Sequence, residues 1–152
     1  MKIVLQRVKN ASVEIDGAVY ASIDKGYVIF LGVGQFDTKT MVEKLVDKIQ
    51  KLRIFPDNEG KSNLSISDVD GEILVISQFT LYADCKKGNR PSFTGAGSPE
   101  LAEELYNYFI EISRIKFKNV RHGIFGADMK VSLINDGPFT IILEQEEILW
   151  LL

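Results

Sequence analysis

Tyr27-Val28-Ile29-Phe30-Leu31-Gly32-Val33-Gly34 is an unbroken apolar run. It is far shorter than the roughly 20 residues of a membrane span. Its length and β-branched content favour a strand over a helix. A strand with no polar face is buried on both sides, so this segment demands a layered fold with a sheet in the middle.

The flanking sequence supplies the other layers. Ile3, Leu5 and Arg7 alternate with Val4, Gln6 and Val8, a strand apolar on much of both faces. Ser12–Ile15 and Ala18–Tyr20 flank Asp16-Gly17, a hairpin signal because that pair tolerates the positive φ angles of a tight turn. A helix is expected from about Thr38 to Leu52, capped by Asp37, with Met41, Leu45, Val46, Ile49 and Leu52 on its buried stripe. A second begins at Ser98-Pro99-Glu100 and buries Leu101, Leu105, Tyr108, Phe109 and Ile112. Arg53–Phe55 and Glu72–Ser77 read as strands, and Lys130–Ile134 and Phe139–Glu144 as paired strands around a turn. The fold class expected is α/β: a mixed sheet, two main helices on one side and further strands on the other.

With 152 residues and no Pro/Gly-rich linker, the chain is expected to be a single domain over 1–152. One cysteine excludes an internal disulfide and a Cys-rich zinc site, and one histidine excludes a multi-His metal centre. No metal and no cofactor are expected. The net charge of −3 opposes a bulk grip on nucleic acid, so any such contact needs a local basic patch. With no span-length apolar run, no secretion signal at Met1–Arg7 and an unpaired Cys85, the expectation is a cytoplasmic protein without membrane contact.

Four segments have the composition of a site. Ser77-Gln78-Phe79-Thr80 places polar groups where a buried strand ends. Backbone N–H groups there could hold an oxyanion, and Thr80 could donate or accept a proton; local backbone satisfaction explains the same hydroxyls. Lys86-Lys87-Gly88-Asn89-Arg90-Pro91 is a basic loop fit for phosphates, or a solvated loop. Asn135-Asp136-Gly137-Pro138 is turn chemistry, although a Gly-Pro bond fixed in cis would aim two neighbouring carbonyl oxygens in one direction. Gly123–Met129 mixes small residues with Phe125 and Met129, which suits a flat apolar group such as a base, or simply a packed core. Cys85 and His122 as a nucleophile pair is the weaker account of both residues, which fit a loop thiol and a polar rim side chain.

In this order, Gln6-Arg7-Val8, Ser77-Gln78-Phe79-Thr80-Leu81, Lys87-Gly88-Asn89-Arg90-Pro91-Ser92-Phe93, Phe125-Gly126-Ala127-Asp128-Met129 and Asn135-Asp136-Gly137-Pro138 resemble the D-aminoacyl-tRNA deacylases, also called D-tyrosyl-tRNA deacylases. The resemblance runs from Met1 to about Leu143. It implies a three-layer α/β/β fold, a homodimer with active sites at the interface, and hydrolysis of the ester of D-aminoacyl-tRNA or mischarged glycyl-tRNA. Gly137 and Pro138 match the Gly-cisPro motif that one subunit inserts into its partner's pocket, where its carbonyl oxygens exclude an L side chain. Arg7 matches the residue that orients that motif, and Asn135 belongs to the same substrate-facing segment. Ser77, Gln78, Phe79 and Thr80 match the pocket wall and oxyanion-stabilising backbone, the catalytic set. Phe125, Gly126, Ala127 and Met129 match the part lining the terminal adenosine. Lys86, Lys87 and Arg90 are the expected tRNA phosphate contacts.

No nucleophile–base–acid triad is evident, so the expected route is substrate-assisted, through a vicinal ribose hydroxyl, with Thr80 lining the site. Three positions depart from the family: Phe139 where Val is common, His122 where Thr is usual, and Cys85 at a variable position. The competing account is a non-catalytic tRNA-binding module built on the basic loop and Phe125–Met129. A third is a structural dimer whose polar turns are only turns.

Overall fold

In the computed structural model, which describes residues 1–144, the apolar run becomes a central strand. The chain order is β1 (Lys2–Ile15), β2 (Ala18–Ile23), β3 (Gly26–Gly32), α1 (Lys39–Lys51), β4 (Arg53–Pro56), β5 (Ser62–Ser65), β6 (Glu72–Ser77), a single 3-10 turn (Phe79–Tyr82), α2 (Pro99–Lys116), β7 (Val120–His122) and β8 (Lys130–Glu144). β3 pairs antiparallel with β1 on one edge and parallel with β6 on the other, and β7 extends the parallel part.

Alternate residues of these strands serve two cores. Tyr27, Ile29, Leu31, Ile73 and Val75 face the helices, where Leu45, Ile49, Leu105 and Phe109 bury against them. Val28, Leu74 and Ile76 face the other way, onto Val8, Val13, Ile23, Val131 and Leu133. The second cover is the same sheet turned back on itself. The first half of β1 pairs with β3 and the second half with β2, while β8 follows its other edge throughout. The expected mixed α/β architecture, with helices on one side and strands on the other, therefore stands. β4 and β5 form a separate small antiparallel pair. At the β1–β2 hairpin both turn residues adopt positive φ, Asp16 at 53° and Gly17 at 78°.

Three local expectations are corrected. Thr38, not Asp37, caps α1: its Oγ1 accepts the Met41 N–H at 3.4 Å. The Asp37 carboxylate is buried, paired with the Met1 ammonium, and accepts the Gly34 N–H at 2.6 Å. The buried stripe of α2 is rotated, with Ala102, Tyr106 and Ile110 inside alongside Leu105 and Phe109. Leu101, Tyr108 and Ile112 are only half-buried. Third, β8 is one strand rather than two around a turn, and both ends pair antiparallel with β1. Between them, β1 runs five residues from Gln6 to Ala11 while β8 takes seven from Thr140 to Leu133. β8 carries three extra residues where Asp136–Phe139 bulge out opposite Arg7, and β1 carries one extra between Val8 and Ala11.

Ser98 does cap α2, accepting the Leu101 N–H at 3.2 Å, with Pro99 as its first residue. Lys39–Glu104, Glu43–Tyr108 and Asp47–Lys116 contacts join α1 to α2 in the same sequence direction, so the helices run parallel. Both begin at the end of the sheet where β3 and β6 finish. Among the described residues no helix is long and apolar enough to cross a membrane.

Candidate active site

A cavity of about 590 Å³ opens at that end. One wall is Ile76, Ser77, Gln78 and Phe79, the finish of β6 and the start of the 3-10 turn. The facing wall is Phe125–Met129 and Val131, and the third is Phe93, Ala96, Gly97, Pro99 and Ala102, the entry into α2. Thus Ser77, Gln78 and Phe79 meet Phe125, Gly126, Ala127 and Met129 across one space, although nearly fifty residues separate the two segments in the chain.

Tyr106 holds two of these walls together. Its buried hydroxyl lies 3.1 Å from both the Val75 and the Gly123 carbonyl oxygens. The Gly123 N–H also donates to Val75 at 3.0 Å. Burial pushes the Tyr106 phenol above its ordinary range, so it remains a donor. Its ring packs 6.0 Å from that of Phe125.

At the opposite wall, the Gln78 N–H donates to the Leu31 carbonyl at 2.8 Å, which removes it from the set of oxyanion donors. The Phe79 and Thr80 N–H groups open the 3-10 turn, where no earlier carbonyl of that turn accepts them. Thr80 is exposed and is not part of the cavity lining. Its Oγ1 accepts a hydrogen bond from Gln78 Nε2, an amide donor rather than a base. Phe79 and Phe93 meet edge to face at 5.1 Å. Asp128 is the cavity's one ionisable lining residue, and Lys130 pairs with it at 2.8 Å.

Arg7, Asn135, Gly137 and Pro138 form a second constellation, apart from the cavity. Arg7 sits opposite Tyr27, whereas the cavity wall starts where Leu31 pairs with Ser77. Four residues of strand separate those positions, about 13 Å. The buried Arg7 guanidinium donates to the Asp136 carbonyl at 3.0 Å and to the Ile54 carbonyl, and lies 4.7 Å over the Phe139 ring. Asn135 closes the bulge: its Oδ1 accepts the Phe139 N–H at 2.8 Å and its Nδ2 donates to Thr140 at 2.9 Å. Gly137 has φ 137°, and a Cβ there would lie 3.1 Å from an Arg7 nitrogen. The Gly137-Pro138 bond is cis, and both residues are exposed.

Lys86, Lys87 and Arg90 lie exposed on a hairpin loop closed by Asp84 and Ser92, whose paired bonds measure 2.7 and 2.9 Å. That loop leads directly to Phe93 in the cavity wall. Cys85 is exposed in the same loop and His122 is half-buried on β7, its Nδ1 2.7 Å from the Gly123 carbonyl. Among the described residues no contact joins the two. Sequence reasoning missed Phe93, Ala96, Gly97, Pro99 and Ala102 as wall residues. Their signal was present in the Ser98-Pro99 helix start, which had to lie somewhere near a strand end.

The family model for D-Tyr-tRNA(Tyr) deacylase matches residues 4–144. The chain belongs to this family. A curated relative, the D-aminoacyl-tRNA deacylase of Thermosipho melanesiensis, is 50% identical over 149 residues, covering 97% of this chain and 99% of its own. Among solved structures, one named as the c-Myc DNA Unwinding Element Binding Protein superposes with a TM-score of 0.90 at 43% identity, covering 95% of this chain and 99% of that one. A probable eukaryotic D-amino acid tRNA deacylase superposes with a TM-score of 0.82, covering 93% and 97%; at 16% identity it speaks to the fold alone. This member of the deacylase family is thus an enzyme of a hydrolase family, and the matched span takes in every residue of the cavity wall, the basic loop and the Arg7-held bulge.

Proposed function

We propose that this enzyme hydrolyses the ester joining a D-amino acid to the terminal adenosine of tRNA. The observation that carries the reading is the meeting of Ser77–Phe79 with Phe125–Met129 across one cavity. In the proposed reaction water adds to the ester carbonyl and the oxyanion forms against the Phe79 N–H at the cavity wall, with Thr80 beside it at the mouth. The carbon–oxygen bond then breaks and the ribose oxygen leaves with a proton, with the vicinal hydroxyl assisting. An aminoacyl ester is already activated, so positioning and electrostatic stabilisation supply the acceleration. Ser77 and Gln78 shape the wall, while Phe125, Gly126, Ala127 and Met129 line the adenosine.

Chiral selection is assigned to the Arg7-held bulge with Gly137 and Pro138, offered to the cavity of a second subunit in a homodimer. An L side chain meets the loop; glycine, with none to reject, is also hydrolysed. Lys86, Lys87 and Arg90 contact tRNA phosphates, and the setting is the cytoplasm. The DNA-binding name of one solved relative, together with the exposed basic loop, supports a second reading as a nucleic-acid-binding module without chemistry. A deacylation time course on matched D-tyrosyl- and L-tyrosyl-tRNA, with a metal chelator present, separates the two. The expected outcome is rapid loss of the D ester alone. Equal inertness of both esters with salt-dependent tRNA binding would establish the module instead.

A further inference from the structure

Phe36 is 81% exposed, more than any other large apolar side chain among the described residues. An exposed phenylalanine on a loose loop would be unremarkable, but this one stands on a fastened turn. The Asp37 N–H donates to the Gly34 carbonyl, and the buried Asp37 carboxylate accepts the Gly34 N–H at 2.6 Å. Gln35 Nε2 donates to the Thr94 carbonyl, Gly34 bridges to Ala96, and the Gly97 N–H donates to Val33 at 2.9 Å. Ala96 and Gly97 line the cavity. Phe36 thus follows by two residues Gly34, which bridges to Ala96 of the cavity lining, and no other ring among the described residues packs against it. The same rim continues through Phe93 into the loop carrying Lys86, Lys87 and Arg90.

We propose that Phe36 is a stacking platform for the unpaired nucleotide that precedes the terminal adenosine of the tRNA. The inference rests on the deacylase reading above. With the adenosine in the cavity, the strand leaving it crosses this rim toward the basic loop. A rigid, solvent-facing aromatic ring on that path offers a base a face to stack on, which needs no particular base identity. A second copy of the chain is the rival occupant.

The test compares Phe36→Ala and Phe36→Trp with the parent on D-tyrosyl-tRNA and on D-tyrosyl-adenosine, which lacks the preceding nucleotide. Loss of one base–aromatic stack raises KM for the tRNA ester about 5- to 100-fold in Phe36→Ala. It leaves kcat unchanged, and Phe36→Trp restores the parent value. On the adenosine ester kcat/KM matches the parent. Equal loss on both esters, an unchanged KM on tRNA, or a smaller sedimenting species in Phe36→Ala would each overturn the proposal. A titration with uncharged tRNA reads the stack without turnover, and Phe36→Ala weakens it by the same factor. Parent enzyme that binds tRNA through Phe36 but cleaves neither ester would sink the deacylase reading and leave the stack standing.

Discussion

Tyr106 links the buried face of α2 to the cavity through one hydroxyl shared by two carbonyls. Tyr106→Phe leaves the Gly123 carbonyl without that donor, a cost of about 1–3 kcal/mol. The expected outcome is a melting temperature about 3–9 °C lower. It comes with a several-fold rise in KM as Phe125 loses its support, read by a thermal scan and by initial rates on D-tyrosyl-tRNA. A melting shift with unchanged KM would make Tyr106 a core residue only. At this scale the sequence was partly legible. Ser98 and Pro99 announced a helix start because capping is decided within four residues. Asp37 misled because the residue that claims its carboxylate, Met1, lies 36 positions away. Tyr106 escaped notice for a similar reason: a stripe of Leu105, Phe109 and Ile112 fits helical spacing equally well with the tyrosine outside.

β3, β6 and both helices were readable because periodicity and run length are properties of the element itself. β8 was not. Asn135-Asp136-Gly137-Pro138 has the chemistry of a turn, and nothing local reveals that one strand continues on both sides of it. The long β1 partner decides that. Asp136–Phe139 stand opposite Arg7 alone, three extra residues on β8, and β1 has one extra between Val8 and Ala11; the net shift is two, an even number, so side chains beyond both irregularities keep their faces. Deleting Gly137 and Pro138 together therefore keeps the two ends of β8 in phase, with Leu143 still in the core. The expected variant keeps the parent's circular dichroism spectrum and hydrolyses D- and L-tyrosyl-tRNA at similar rates. Full retention of discrimination would remove the bulge from chiral selection.

Across the molecule, net charge is a poor guide to the proposed nucleic-acid face. The chain carries −3 overall, yet Lys86, Lys87 and Arg90 crowd one exposed loop beside the cavity. Replacing all three with Ala is expected to weaken tRNA binding. It should flatten the dependence of log K on log salt by about 2, from a slope of ~0.7 per contact on a single strand. Filter binding between 50 and 200 mM salt reads this, and an unchanged slope would show that the loop faces solvent. That the basic loop, the strand end and the α2 start share one rim was not legible from any one segment. It required the topology, in which β3, β6 and two parallel helices all end or begin on one side.

The bulge held by Arg7 and the cavity wall are distant parts of one chain. In the proposed pair of subunits this divides fidelity between two gene products. A lesion in the bulge spares its own subunit's pocket and corrupts the neighbour's, whereas a lesion in the wall silences only its own. Where normal and altered copies are made together and mix freely, three-quarters of pairs contain an altered chain. Bulge alleles would then show partial dominance, through pockets that still hydrolyse but no longer discriminate, and wall alleles would behave as simple losses of dosage.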